Sequence, residues 1–308
     1  MASQAASFVV SRPAPLLCEN GSSMANSRAG KFQDQVVLIT GASSGIGEAV
    51  AREFAREGAH TVLMARRAER IEALASELRG AGLRSLAVTG DVTRDGDLER
   101  AVDLARSEFG RLDVAVANAG FSVGGRFVDL TLDDYRRQLE TNVFGVLRTL
   151  FAALPELRKT RGRIVVVGSL LGIVPVPLAT PYCMSKFALV PLCDGLSQEL
   201  APLGVSVTHI LPGFVASEIY QVDNRGVRLE APPPQRTPPA WLLVSPAQTA
   251  RQIVSAAYRR KRTRFVGLHS RIGSALQRHF PGLVHFAISR AIRRAALRGA
   301  NNGAMAQG

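Results

Sequence analysis

The chain has 308 residues, 46% of them hydrophobic, which suffices for a full core and suits one large α/β domain better than two small ones. Its formal charge of +13 resembles that of a nucleic-acid binder only until the charge is located. Through Glu230 there are 25 Lys and Arg against 25 Asp and Glu; beyond it no acidic residue occurs, and 13 basic ones from Arg236 to Arg298 supply the whole excess. A neutral body with no aromatic platform beside the terminal arginines argues against nucleic acid as a partner.

Cys18, Cys183 and Cys193 form neither an even set nor a Cys-x-x-Cys spacing. A disulfide framework and a metal site are therefore not expected, and a cytoplasmic location fits. The longest apolar stretch, Ile164 to Ala179, is broken by Gly168, Gly172, Pro175 and Pro177, so no membrane span is expected. Residues 1–30 are rich in Ala and Ser without a period. They read as a disordered leader, with Met24 as an alternative start.

Gln35 to Thr40 is a short apolar strand pattern that runs into Gly41-Ala-Ser-Ser-Gly45-Ile-Gly47 and then a helical pattern, Glu48 to Glu57. Glycines where a strand meets a helix let the backbone approach a phosphate, and the free amides and positive end of the helix attract it. A second strand, Thr61 to Ala65, ends in Arg66-Arg67 instead of the carboxylate that would pair with the ribose hydroxyls of NAD. The planar fork of Arg66, helped by Arg67, suits the ribose phosphate of NADP.

Helix Ala68 to Arg79, strand Arg84 to Thr89, helix Asp95 to Phe109 and strand Leu112 to Ala117 continue the alternation. A long helical stretch from Thr131 to Leu154 contains Asn142, and Gly145 marks a local irregularity in it. Ile164 to Val167 is a buried-strand pattern with Ser169 at its carboxyl end, where ligands bind in such sheets. With Thr180 as cap and Pro181 as first residue, Tyr182 and Lys186 share one helix face four residues apart. A phenol that normally titrates near pH 10 shuttles protons poorly at neutral pH, and Lys186 is the cation that would favour its ionised form. Strand Val205 to Leu211, helix Ala247 to Tyr258 behind Ser245-Pro246, and strand Thr263 to Val266 complete the pattern.

The spacing Thr-Gly-x-x-x-Gly-x-Gly, followed in order by Asp91-Val92, Asn118-Ala119-Gly120, Asn142, Ser169, Tyr182, Lys186 and Pro212-Gly213, resembles the classical short-chain dehydrogenase/reductase family over roughly Lys31 to Gly267. The resemblance implies a doubly wound Rossmann sheet, largely parallel and seven-stranded, with helices on both faces. It implies a hydride-transferring oxidoreductase acting on a carbonyl or alcohol, with Asn142, Ser169, Tyr182 and Lys186 as catalytic residues. Asn142 would hold a water in a proton relay, Ser169 the carbonyl oxygen, and Lys186 the nicotinamide ribose. The implied NADP(H) contacts are Gly41, Ser43, Ser44, Gly45, Ile46, Gly47, Arg66, Arg67, Asp91, Val92, Asn118, Ala119, Gly120, Tyr182, Lys186, Pro212, Gly213, Val215 and Ser217. Asp91 would bond the adenine and Val92 pack on it; Asn118 would brace the central strands; Ser217, where the family carries threonine, would reach the carboxamide. Ala117 stands where the family shows asparagine. Dimers or tetramers are usual in the family, and the intact catalytic set argues against the alternative of a silent cofactor sensor or scaffold.

The proline-rich stretch about 216–245 falls where the family keeps its substrate loop. Residues 269–308 form a basic extension with helical spacing from Ser270 to Ala300, interrupted at Pro281-Gly282. On a helical projection of Leu283 to Arg298, Arg290, Arg293, Arg294 and Arg298 share one face, while Val284, Ile288, Ala291, Ile292 and Ala295 share another. Two expectations stand side by side: a helix packed on the core or a partner subunit, or one lying in an anionic membrane surface.

Overall fold

In a computed structural model, which describes residues 30–225, 227, 238 and 240–291, the β-branched runs become strands. They are β1 (Val36–Thr40), β2 (His60–Ala65), β3 (Ser85–Thr89), β4 (Val114–Ala117), β5 (Arg163–Val167), β6 (Ser206–Pro212) and β7 (Thr263–Val266). All pair in parallel in one sheet of order β3-β2-β1-β4-β5-β6-β7. The order reverses between β1 and β4, which opens a crevice at the carboxyl ends of the strands.

The helices are α1 (Gly45–Arg56), α2 (Ala68–Gly80), α3 (Asp97–Phe109), α4 (Leu132–Leu139), α5 (Gly145–Thr160), α6 (Thr180–Glu199), α7 (Pro246–Tyr258) and α8 (Leu268–His279). Strand alternation divides the core. Val37 and Ile39 point into a cluster with Phe54 of α1, Ile71 of α2 and Ile253 of α7. Val36 and Leu38 point into a cluster with Leu98 of α3, Leu157 of α5 and Leu189 of α6. Each such side chain, buried, stabilises the fold by roughly 1.5 to 3 kcal/mol.

Three expectations change in detail. The stretch from Thr131 is not one helix: a capping box at Thr131 and Asp134 opens α4, a π-turn follows over Glu140–Phe144, and α5 runs on to Thr160. Gly145 has its place because a side chain there would meet Val92 Cγ2 at 2.7 Å. Thr180 does not cap α6 but is its first residue; Ala179 holds the cap position without a side-chain bond. The Thr180 hydroxyl is instead 2.7 Å from the Tyr135 hydroxyl of α4. Helix α3 starts at Asp97, since Gly96 before it turns left-handed at φ +83°.

The basic extension begins as α8, breaks at Phe280, and resumes as helix over 281–291. The leader, much of the proline-rich stretch, and Ile292, Arg293, Arg294, Ala295 and Arg298 lie outside the described residues. Among the described residues, no helix is long and apolar enough to cross a membrane.

Candidate active site

Thr40, the last residue of β1, sets the geometry of the crevice. Its hydroxyl donates to the Val116 carbonyl at 3.3 Å and accepts from the amides of Asn118 and Ala119 at 3.0 and 3.2 Å. Asn118 returns its side-chain amide to the carbonyls of Thr40 and Gly41. The ends of β1 and β4 are thereby tied together. The chain then turns at Gly41, at φ +67°, where a side chain would meet Ala119 Cα at 2.8 Å. Ser44 precedes α1 without capping it through its hydroxyl.

That hydroxyl and its neighbour serve Arg67. The guanidinium donates to Ser43 Oγ at 3.0 and 2.9 Å and to Ser44 Oγ at 2.7 Å. Arg66 points elsewhere: it is 69% exposed and lies 3.8 Å from an Asp91 carboxylate oxygen. The two arginines therefore divide differently from the expectation that Arg66 leads and Arg67 assists. Asp91 accepts from the Thr93 amide and hydroxyl at 3.0 and 2.9 Å, an Asx turn that holds its carboxylate at the crevice wall.

At the other end of the crevice, Lys186 lies one turn beyond Tyr182, its ammonium 5.8 Å from the centre of the phenol ring. It donates to the Val167 carbonyl at 2.9 Å. Tyr182 as a residue is half-buried while its hydroxyl is enclosed. Burial pushes the phenol up to about 12, Ser169 acting as the hydrogen-bond partner that pulls the other way. Burial brings Lys186 down from its ordinary 10.5 to about 8. Enclosure and Ser169 thus act on the phenol in opposite senses, while the Lys186 ammonium is held on the Val167 carbonyl.

Asn142, fully buried in the π-turn, has both amide atoms engaged. Its oxygen accepts from Phe121 N at 3.2 Å, and its nitrogen donates to the Phe121 carbonyl and to Ser185 Oγ, each at 3.1 Å. Ser185 in turn donates to the Tyr182 carbonyl at 2.7 Å. The Asn142 side chain thus ties the π-turn to the first turn of α6.

A crevice of about 890 Å³ joins the two ends, lined by Gly41, Ser43, Ser44, Gly45, Ile46, Arg66, Arg67, Asp91, Val92, Asn118, Ala119, Gly120, Tyr182, Lys186 and Ser217. Six expected residues stand back from its wall, the buried Asn142 among them. Gly47 packs α1 against the turn, where a side chain would meet the Gly41 carbonyl at 2.2 Å. Pro212 closes β6, Gly213 is filled by the His269 ring, and Val215 is buried and bridged to Val244. Ser169 stands just beyond the wall, its hydroxyl accepting from the Leu171 amide at 3.1 Å. The described residues hold no cluster of metal-ligating side chains, and Cys183 and Cys193 are both free and buried.

Sequence reasoning passed over three groups. Glu218 reaches back across the crevice to Arg67 and Arg70. His269 of α8 accepts from the Phe214 amide at 2.8 Å. His209 on β6 lies buried against Gly168, its imidazole brought down to about 4 by burial and by Lys186. All three are long-range pairings without a local pattern; only the unusual histidine inside a β-branched strand was a visible signal.

A family model described as short chain dehydrogenase matches residues 35–227. Oxidoreductase UcpA of Salmonella typhimurium is 42% identical over 194 residues, covering 62% of this chain and 73% of that protein. An alcohol dehydrogenase from the archaeon Thermococcus sibiricus, solved with 5-hydroxy-NADP, superposes with a TM-score of 0.66 at 28% identity over 76% of this chain and 96% of its own. A short chain dehydrogenase/reductase from Burkholderia phymatum, solved with NAD, superposes with a TM-score of 0.73 at 25% identity, covering 82% and 96%. Sheet order, glycine turn and sequence agree: the chain belongs to the short chain dehydrogenase family, nicotinamide-dependent oxidoreductases built on the Rossmann fold.

Proposed function

We propose that this chain is an NADP(H)-dependent oxidoreductase that interconverts a hydrophobic ketone or aldehyde and its alcohol. The observation that carries the reading is one continuous crevice with arginines and a glycine turn at one end and Tyr182 and Lys186 at the other. The donor set suits a phosphorylated dinucleotide: serine hydroxyls and the amino end of α1 for the pyrophosphate, Arg66 and Arg67 for a ribose phosphate. When bound, the nicotinamide carries the hydride. Tyr182 supplies the proton to the carbonyl oxygen in reduction and removes it in oxidation. Ser169 holds the same oxygen as charge develops on it, and Lys186 holds a positive charge beside the phenol. Asn142 keeps Tyr182 and the π-turn in register; with its side chain engaged, any water relay at this position uses its main chain.

Phe121, Leu139, Phe144, Ile219 and Val222 along the crevice favour an apolar substrate. Exposed Phe144, Phe151, Met184 and Phe187 on α5, α6 and the π-turn support a homodimer or tetramer, which sedimentation equilibrium would measure. The extension supports peripheral contact of a cytoplasmic protein with an anionic lipid surface. Leu268, Ile272, Leu276, Phe280, Leu283 and Phe286 are all exposed, and on a helical projection Arg271 and Arg278 flank the α8 part of this stripe. Flotation with anionic vesicles tests that contact; full-length protein left unbound at low salt would end the idea.

The enzyme reading is tested with a panel of aldehydes, ketosteroids, quinones and long-chain ketones, NADPH and NADH in parallel. Tyr182→Phe should keep NADPH binding and lose nearly all turnover. Comparable activity in that variant removes the tyrosine mechanism.

A further inference from the structure

Resting on the NADP(H) reading, we propose that Glu218 is a built-in counter-anion for Arg67, which that reading gives to the ribose phosphate, and for its neighbour Arg70, so that a ribose phosphate must displace it in order to bind. Arg67 lies at the amino end of α2 and Arg70 within its first turn; both donate to Glu218, to its two oxygens separately and each at 2.8 Å. A carboxylate that bridges two guanidinium groups makes the contacts a phosphate monoester makes, with fewer oxygens and less charge. Glu218 comes from 148 residues further along than Arg70, at the head of a short turn, Glu218–Gln221, beyond β6.

The fit is close. Ser217 backs onto the glycine turn, where a side chain at Gly45 would meet its Cβ at 3.1 Å. Burial pushes the Glu218 carboxyl up, but the hydrogen bonds and charges of Arg67 and Arg70 outweigh it and bring it to about 2, so the group is ionised throughout the neutral range. A second cavity of about 930 Å³ behind the glycine turn is lined by Glu218 together with Glu48, Arg52, Glu53 and Arg56, the two arginines being paired with those two glutamates. A displaced carboxylate therefore has room to swing there.

Competition of this kind weakens a ligand by the fraction of sites in the open state. It acts through Arg67 and Arg70, the guanidinium groups that Glu218 holds. Calorimetric titration of the purified full-length chain with adenosine 2′,5′-bisphosphate and with 5′-AMP isolates that contact from the nicotinamide and from catalysis. Glu218→Gln, of nearly the same shape, should tighten the bisphosphate by about tenfold, with 5′-AMP changed less than about twofold. Glu218→Ala should move the two ligands in the same sense, and circular dichroism checks that both variants are folded.

Four outcomes decide it. A native chain that prefers the bisphosphate, with the preference enlarged in Glu218→Gln, supports the counter-anion. The same native preference left unchanged in the variant overturns the counter-anion and leaves the cofactor reading standing. No preference in the native chain but a clear one in the variant supports the counter-anion and overturns NADP as the native cofactor. No preference in either protein overturns both.

Discussion

Replacing Asn142 by alanine probes whether the π-turn is held to α6 as the hydrogen bonds indicate. Asn142 is fully buried and makes three bonds, but their loss is unequal. The Phe121 carbonyl keeps a donor in Gln138 Nε2 at 2.9 Å, and Ser185 keeps its bond to the Tyr182 carbonyl. The Phe121 amide alone loses its side-chain acceptor. One orphaned donor costs about 1 to 3 kcal/mol where it is buried, and a satisfied pair lost elsewhere about 1 kcal/mol. Phe121 is only partly buried, which places the total near 2 to 3 kcal/mol. Urea unfolding followed by circular dichroism measures it, and a double-mutant cycle with Ser185→Ala should return a coupling of about 0.5 to 1.5 kcal/mol. A loss under about 0.5 kcal/mol, or a coupling of zero, would refute the reasoning, since neither is compatible with Asn142 as the tie between the two elements.

Arg66→Ala and Arg67→Ala should each weaken NADPH by about tenfold or more while leaving NADH nearly unchanged; equal losses for both cofactors would remove the phosphate role. Lys186, lowered from 10.5 to about 8, binds fewer protons folded than unfolded between those values, so stability rises with pH there. Cys193 and Cys183, both raised from 9.0 by burial, oppose this as the pH approaches and passes 9. Between pH 8 and 9 the lysine alone contributes about 1 kcal/mol and the thiols offset part of it, so stability measured in urea should climb by less than about 1 kcal/mol, and Lys186→Met should remove the rise. In Gly168→Ala the new methyl would meet His209 Nε2 at 2.3 Å. Overpacking should cost about 1 to 3 kcal/mol, and adding His209→Ala should give less than the sum of the two single losses.

Much of this protein was already determined by local sequence. A β-branched run of five residues buries both faces only in a parallel sheet covered on both sides, and a glycine at left-handed φ between strand and helix admits few alternatives. Those two facts, with the alternation of strands and helices along the chain, point to a layered α/β sheet and place the glycine turn; Pro181 at the start of α6 places Tyr182 one helical turn before Lys186. What tertiary structure decided is how groups far apart in sequence share charge and hydrogen bonds. That Arg67 and not Arg66 lies on the glycine turn, that Glu218 faces both Arg67 and Arg70, and that enclosure raises Tyr182 against the pull of Ser169 depend on distances set by packing. Periodicity shows which face a side chain occupies; the sign and size of an electrostatic effect follow from what else has been brought to that face and how much water has been excluded from it.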